Sequence, residues 1–169
     1  MKKQKAFTLI ELLVTSSITA LMMLAMSSLF ITFLATAYKS RISQNLRESG
    51  NNAIKQIIEM IRSSSEITSP CIKDSPLNYI TLVGPDGLES IIREEDDRIA
   101  SVSATNKFYL TESSANPNYI NSLIFKCYPT PEGKKYIEIS FNIHTGDNTA
   151  SNSARSTTLD FGSGMVTRN

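Results

Sequence analysis

The chain has 169 residues, enough for one modest domain and an additional N-terminal segment. Its 17 basic and 16 acidic residues give a net charge of +1, so the composition gives no sign of a basic surface for nucleic acid. Between Phe7 and Ala37 the sole formal charge is Glu11, whereas the chain beyond Tyr38 is polar and rich in Ser, Thr and Asn. This division predicts a membrane or partner segment followed by a soluble part.

The apolar run from Phe7 to Ala37 is long enough to span a bilayer. As a helix, its 31 residues would extend roughly 46 Å at about 1.5 Å per residue, against a hydrocarbon core of roughly 30 Å. No Gly or Pro interrupts it. Its small hydroxyl residues can bond back to the helix or let neighbouring helices approach; they are Thr15, Ser16, Ser17, Thr19, Ser27, Ser28 and Thr32.

Two ordinary interpretations of this run are a cleaved signal peptide and a plain signal anchor. The apolar part of a signal peptide is about 7–15 residues long, which is much shorter than this run. A plain anchor, with the N-terminal lysines held in the cytoplasm, leaves Glu11 unexplained. A charge at bilayer depth costs several kcal/mol, so an acid there is read as functional and needs a partner.

The N-terminal residues Lys5-Ala6-Phe7-Thr8-Leu9-Ile10-Glu11-Leu12-Leu13-Val14 resemble the class III signal of type IV prepilins and type II secretion pseudoprepilins. The resemblance implies that the leader, residues 1–6, is cleaved between Ala6 and Phe7. The new N-terminal Phe7 would be N-methylated and the apolar helix, residues 7–37, would be retained. The family usually has Gly before the cut; since Ala6 is also small, we expect processing at an equal or lower rate.

Cleavage would provide a partner for Glu11, which matches the family's glutamate at the fifth mature position. It would create an α-amine on Phe7, and such an amine is positively charged near neutral pH. In a bundle of parallel helices, the amine of an incoming subunit could meet Glu11 of the subunit already assembled, so that each charge offsets the desolvation of the other. Glu11 and Phe7 are therefore the predicted assembly residues.

The helix is predicted to continue beyond the membrane, over residues 38–66. Apolar residues recur there at steps of three and four, the pattern of an amphipathic helix; they are Ile42, Leu46, Ala53, Ile54, Ile57, Ile58 and Ile61. Gly50 would interrupt this helix at a cost of about 1 kcal/mol. The run Ser63-Ser64-Ser65, followed by Pro70, is predicted to end it.

Residues 67–169 are predicted to form a β-rich head. Residues 79–83 and 88–93 indicate one hairpin around a Gly84-Pro85-Asp86-Gly87 turn, and residues 121–128 and 136–144 indicate a second. In the second hairpin one face is apolar: Leu123, Phe125, Cys127, Ile137, Ile139, Phe141 and Ile143. Residues 145–157 are predicted to form a loop, and the apolar residues after it to supply a last strand or an edge contact. The fold class is thus α+β and pilin-like: a long N-terminal helix packed on an antiparallel sheet.

The two cysteines, Cys71 and Cys127, are candidates for a disulfide, since the count is even and an exported head meets an oxidising space in many bacteria. A closed loop of about 57 residues would contribute roughly 4 kcal/mol. Two separate buried thiols are the alternative, because spacing alone does not establish geometry.

The head shows no catalytic set, so we expect no enzyme, no cofactor and no bound metal. His144 falls on the polar face of a predicted strand. The acidic run between Arg93 and Arg98 could offer oxygens to Ca²⁺, but it lacks the spacing and the glycine of a known calcium loop. A solvated charged turn is the preferred interpretation.

The predicted function is that of a structural minor pilin or pseudopilin. The segment 41–62 and the closing residues 166–169 are similar to W- or J-type minor subunits, and Ser28 stands where the family often has a helix-loosening Pro. The resemblance implies three partners: other pilins, a prepilin peptidase-methyltransferase and an inner-membrane assembly platform. It also implies a single pass through the inner membrane with a cytoplasmic N-terminus, and then a place in a type IV pilus or secretion pseudopilus.

The alternative function is a pilus-tip binding module, either an adhesin or a DNA-uptake receptor, on the same anchor. Binding of DNA would require clustered basic residues, and outside the leader the one adjacent basic pair is Lys134-Lys135. An adhesin leaves no clear mark in a single sequence.

Overall fold

The computed structural model describes residues 8–73, 75–104, 106–111, 118–145 and 157–167. These residues form one long helix, α1, followed by strands β1 to β8. The chain divides into two compact units, residues 1–40 and residues 41–169.

In the first unit, α1 is apolar and exposed along its whole length. The helix begins at Leu9, and every residue from there to Ser40 is exposed. Seven hydroxyl groups in this stretch donate to carbonyl oxygens three or four residues earlier, at 2.7–3.1 Å. Because these hydroxyls are bonded within the helix, they do not require water. In the described residues, α1 is the one helix long and apolar enough to cross a membrane, judged by length and composition.

In the second unit, α1 continues from Arg41 and ends at Ser63. One side of this part is buried at steps of three and four residues, as the amphipathic pattern predicts: Leu46, Gly50, Ala53, Ile57 and Ile61. At the end of the helix, the Ser63 hydroxyl donates to the carbonyl of Met60 at 3.1 Å and the Ser64 hydroxyl to that of Ile61 at 2.7 Å. The serine run thus satisfies carbonyl groups that a helix end leaves unpaired.

The strands form two antiparallel sheets. The five-stranded sheet has the order β1-β2-β3-β4-β5, with bounds Glu66–Ile67, Tyr79–Val83, Glu89–Glu95, Arg98–Ser103 and Lys107–Tyr109. The three-stranded sheet has the order β6-β7-β8, with bounds Asn118–Pro129, Lys135–Thr145 and Thr157–Val166. An isolated bridge between Leu77 and Phe125 connects the outer side of β6 to the segment before β2.

The buried face of α1 and the inner faces of both sheets share one core. Alternate residues of β7 are buried, namely Ile137, Ile139, Phe141 and Ile143, and so are Leu123, Phe125 and Cys127 of β6. From the five-stranded sheet the core takes Ile80, Leu82, Ile92 and Ile99. The predicted α+β class, with a long helix packed on antiparallel strands, is confirmed, and so are both predicted hairpins.

The charged run was predicted only as a turn, and it is in fact a hairpin tip. Asp96 and Asp97 have positive φ angles of 52° and 58°, and Glu95 pairs with Arg98 across them. Two-residue hairpin turns of this kind require two left-handed residues, a conformation that Asp tolerates better than most. The predicted charged turn is therefore correct, but the sequence reading missed strands β4 and β5 that follow it.

Candidate functional site

The first candidate site is the N-terminal end of α1. Thr8 immediately precedes the helix, and its side-chain oxygen accepts a hydrogen bond from the backbone N–H of Glu11 at 3.4 Å. Its carbonyl accepts from the N–H of Leu12 at 3.2 Å. Thr8 is therefore the N-cap residue, and Glu11 occupies the third helical position, the spacing of a capping box.

Thr8 is a site residue that the sequence reading missed, although the signal was present. The pattern Thr-x-x-Glu just before an apolar run is a helix-start signature. The carboxylate of Glu11 lies in the first turn, where the positive end of the helix dipole favours a negative charge.

Glu11 is exposed in the isolated chain, and the structure assigns it no ion pair within the described residues. The residues predicted to be cleaved and methylated, Ala6 and Phe7, lie outside the described residues. The side chains around Glu11 on the helix are large and apolar; Leu9, Ile10 and Leu12 are 79%, 70% and 63% exposed. Glu11 is therefore an exposed carboxylate at the start of an exposed apolar helix.

The second candidate feature is the cysteine pair. The structure joins Cys71 and Cys127 by a disulfide, with their Cα atoms 5.0 Å apart and 56 positions apart in the sequence. Cys127 lies on the inner face of β6 and is 7% exposed, while Cys71 is half-buried in the segment that follows β1. The bond therefore fastens the chain just beyond α1 to the three-stranded sheet.

A third feature is a charged cluster beside the hairpin tip. The Lys107 ammonium group contacts Glu95 at 2.6 Å and Asp96 at 2.8 Å, and Arg93 contacts Glu95 at 2.9 Å. The bond from Lys107, followed by that from Arg93, holds the pKa of Glu95 below its usual value. The pKa of Asp96 is also lowered, mostly by its hydrogen bond from Lys107 and less by the one from Tyr109. The two carboxylates in turn raise the pKa of Lys107, and Asp96 has the larger effect. This cluster links β3 to β5, so its acids serve the fold.

Metal binding has no support in the described residues, where no group of three or more His, Cys, Asp or Glu side chains could hold an ion. His144, predicted to lie on the polar face of its strand, is partly buried. Its Nδ1 lies 2.8 Å from the hydroxyl of Thr158 on β8. This contact assigns His144 a place in the β7–β8 pairing.

A cavity of about 350 Å³ lies between the end of α1 and the turn after β6. Arg62, Glu66 and Lys135 contribute its charged lining. The Lys135 ammonium group already donates to the carbonyl oxygen of Ile67 at 2.9 Å. That amine joins β7 to β1, which gives it a structural role.

Residues 1–27 match the family model of the prokaryotic N-terminal methylation motif. The match supports a prepilin-like class III signal at the start of the chain, and a protein of the type IV pilin or pseudopilin kind. Comparison with curated proteins and with solved structures gives no match. A methylation motif leading into an apolar helix fits a pilin-type protein anchored in the membrane by a single pass, and implies processing by a prepilin peptidase.

Proposed function

We propose that this chain is a minor pilin or pseudopilin, cleaved between Ala6 and Phe7 and assembled into a type IV pilus or a type II secretion pseudopilus. The observation that carries the proposal is the methylation motif continuing into a helix whose apolar side chains are exposed from Leu9 onward. Such a surface requires lipid or other helices around it. A filament core built from parallel helices supplies that environment after the subunit leaves the bilayer.

Within this proposal, Glu11 pairs with the N-terminal amine of a neighbouring subunit. Thr8 caps the helix through the Glu11 N–H, which fixes the backbone from which the carboxylate projects. The charge itself still needs compensation once apolar helices surround it, because an uncompensated ion in a low-dielectric core costs several kcal/mol. An amine on Phe7 of the next subunit supplies that compensation and sets the axial register.

The minor role, at or near the tip, is the finer part of the proposal. The second unit, residues 41–169, carries two sheets, which is more than a minimal pilin head needs. In addition, α1 continues through Ser28, so the helix lacks the loosened point that a proline would create there. Both features favour a specialised subunit over the bulk subunit of a long filament.

The proposal is tested first by the mass of the N-terminus. The full chain is co-expressed with an active prepilin peptidase-methyltransferase or with its inactive variant, and the products are measured by mass spectrometry. We expect loss of residues 1–6 and one added methyl group on Phe7 with the active enzyme, and neither change with the inactive variant. Retention of the leader, or a cut after Ala20, would overturn the proposal, and Ala6→Gly serves as the positive control for the cut.

Assembly is tested separately with Glu11→Ala. The variant should insert in the membrane and lose its leader as the parent does, because neither step uses the carboxylate in this mechanism. It should be recruited poorly into filaments reconstituted with their assembly platform. Normal recruitment of Glu11→Ala would reject the pairing of Glu11 with Phe7.

A further inference from the structure

Strand β8 lies at one end of the three-stranded sheet. It pairs with β7 through every residue from Thr157 to Val166, in one uninterrupted antiparallel register. In the part of the chain that the structure describes, no strand pairs with its other side. This other side is called here the outer edge of β8.

Backbone hydrogen bonds at two places in the sheet determine which groups face the outer edge. The N–H of Thr167 donates to the carbonyl of Lys135 at 2.8 Å, so these two residues form a hydrogen-bonded pair. Such pairs alternate along an antiparallel ladder. The backbone groups of Phe125 bond to Leu77, on the side of β6 away from β7. This direction agrees with the same alternation when it is followed across β7 to β6. The N–H and C=O groups that point to the outer edge therefore belong to Thr158, Asp160, Gly162, Gly164 and Val166, all exposed.

The outer edge of β8 lacks the protection that both edges of the five-stranded sheet have. In the five-stranded sheet, β1 has 2 residues and β5 has 3, and β5 carries Lys107. Short strands, lysines, prolines and bulges are the usual means by which proteins prevent strand addition. Strand β8 has 10 residues without lysine, proline or a register shift, and its one charge is Asp160.

We propose that the outer edge of β8 is a docking site for an extended segment of a second protein, which adds a fourth strand to the sheet. Backbone donors and acceptors at two-residue spacing match an extended peptide, and such strand addition is a recurring mode of recognition. The side chains specify the partner further. A Cβ at Gly162 would meet only the carbonyl of Ile139, at 3.7 Å, which leaves room for a bulky partner side chain. Asp160 favours a cation in the partner at the next position on the same face.

A second copy of this chain fits the edge less well. Identical edges pair through a two-fold axis, which runs the two β8 strands antiparallel. Because Asp160 is the one charge on β8, a second copy offers no cation to that carboxylate. The site does not depend on the proposed function, since it uses none of the N-terminal residues.

The test uses the full chain in detergent micelles and a designed peptide, Thr-Val-Thr-Tyr-Thr-Lys-Thr-Val-Thr, acetylated and amidated at its ends. In the antiparallel register its Tyr lies opposite Gly162 and its Lys opposite Asp160. We expect saturable binding, with slower amide hydrogen exchange at the five outward-facing residues. The control peptide carries N-methyl groups on the Tyr and Lys amides, which removes the backbone donors and keeps the side chains.

Variants of Gly162 provide the matched protein control. Gly162→Pro removes an outward-facing N–H, where proline is tolerated in an edge strand, and should weaken peptide binding at least tenfold. Gly162→Ala retains the N–H and should change the affinity much less. If Gly162→Pro fails to fold, Thr158→Pro removes another outward-facing N–H near the start of the strand. It should weaken peptide binding for the same reason.

Three results would overturn the proposal. The first is peptide affinity weaker than about 1 mM, and the second is equal binding of the N-methylated peptide. The third is self-association of the chain that Gly162→Pro abolishes, which would assign the edge to a second copy. Binding that depends on backbone donors in both partners supports the proposal.

Discussion

Gly50 on α1 lies directly against the ring of Phe161 on β8, and a Cβ atom at position 50 would overlap that ring. The ring cannot retreat freely, because it stacks on Phe141 of β7 with ring centroids 5.4 Å apart. The glycine thus brings the helix backbone close to the three-stranded sheet. The sequence alone indicates Gly50 as a weak point of the helix. In the structure Gly50 is a packing residue.

We therefore expect Gly50→Ala to destabilise the second unit, although alanine is the better helix former by about 1 kcal/mol. Overpacking in a well-packed core costs typically about 1–3 kcal/mol, so the net loss should be of the order of 1 kcal/mol. Chemical denaturation of the full chain in micelles, followed by circular dichroism, measures it. When Phe161 is replaced by Leu, the further change Gly50→Ala should cost less unfolding free energy than it does in the parent. A Gly50→Ala variant more stable than the parent would contradict the packing role.

The parts of the fold that could be predicted are those with a regular period. The amphipathic half of α1 and the β6–β7 hairpin bury residues at steps of three or four and of two. Strand β4 could not be recognised because Ile99, Ala100 and Ser101 are all buried in succession, so its pattern does not alternate. A three-residue strand such as β5 offers too few positions for any period.

The site residues divide in the same way between local and long-range features. Ala6, Phe7 and Glu11 follow from a contiguous motif, and Thr8 could have been recognised from its spacing to Glu11. The meeting of Cys71 with Cys127 depends on how the segment after β1 returns to β6, which no local pattern contains. The cluster around Lys107 also depends on the pairing of β4 with β5, which brings that lysine to the hairpin tip.

The second prediction concerns the cysteine pair. Compared with the oxidised parent chain, the double variant Cys71→Ser, Cys127→Ser should lose about 2–4 kcal/mol of unfolding free energy, because the bond closes a long loop. The same loss should appear when the parent chain is treated with a reductant, and the reductant should leave the double variant unchanged. Thiol labelling under denaturing conditions checks the oxidation state directly. Two reactive thiols in protein produced in an oxidising compartment would contradict the bond.

The third prediction concerns acid stability. Since the pKa values of Glu95 and Asp96 are lowered in the folded state, their contribution is present above the unfolded-state pKa values. It is lost as the pH falls below the ordinary carboxyl range and through the lower folded-state values. Lys107→Met should lower the melting temperature slightly at neutral pH, because the cluster is exposed and screened. This difference from the parent should disappear at the acid end.

Lys134→Met is the matched control for the Lys107 experiment. Lys134 contacts Glu132 at 3.4 Å, and both side chains are largely exposed, so the variant should melt like the parent at every pH. A difference between Lys107→Met and the parent that persists unchanged below pH 2 would show that the carboxylates are not its cause. For the Lys107 ammonium group itself, the pH dependence of the stabilising contribution is opposite to that of the carboxylates. Its pKa is raised in the folded state, so its contribution is complete below its usual value and is lost as the pH rises above it.

The last prediction separates two roles of Glu11: the helix-start role that its spacing from Thr8 indicates, and the charge pairing that we propose. Glutamine is as suitable as glutamate at the third position of a capping box, but it carries no charge. If Glu11 served the helix start alone, Glu11→Gln would assemble normally. Because we assign the charge to a neighbouring Phe7 amine, we expect Glu11→Gln to assemble as poorly as Glu11→Ala. The control is Thr8→Ser, which retains the capping hydroxyl and should assemble like the parent. Recruitment of each variant into filaments, scored against its leader removal and membrane content, makes the comparison, and normal recruitment of Glu11→Gln would leave Glu11 with the capping role alone.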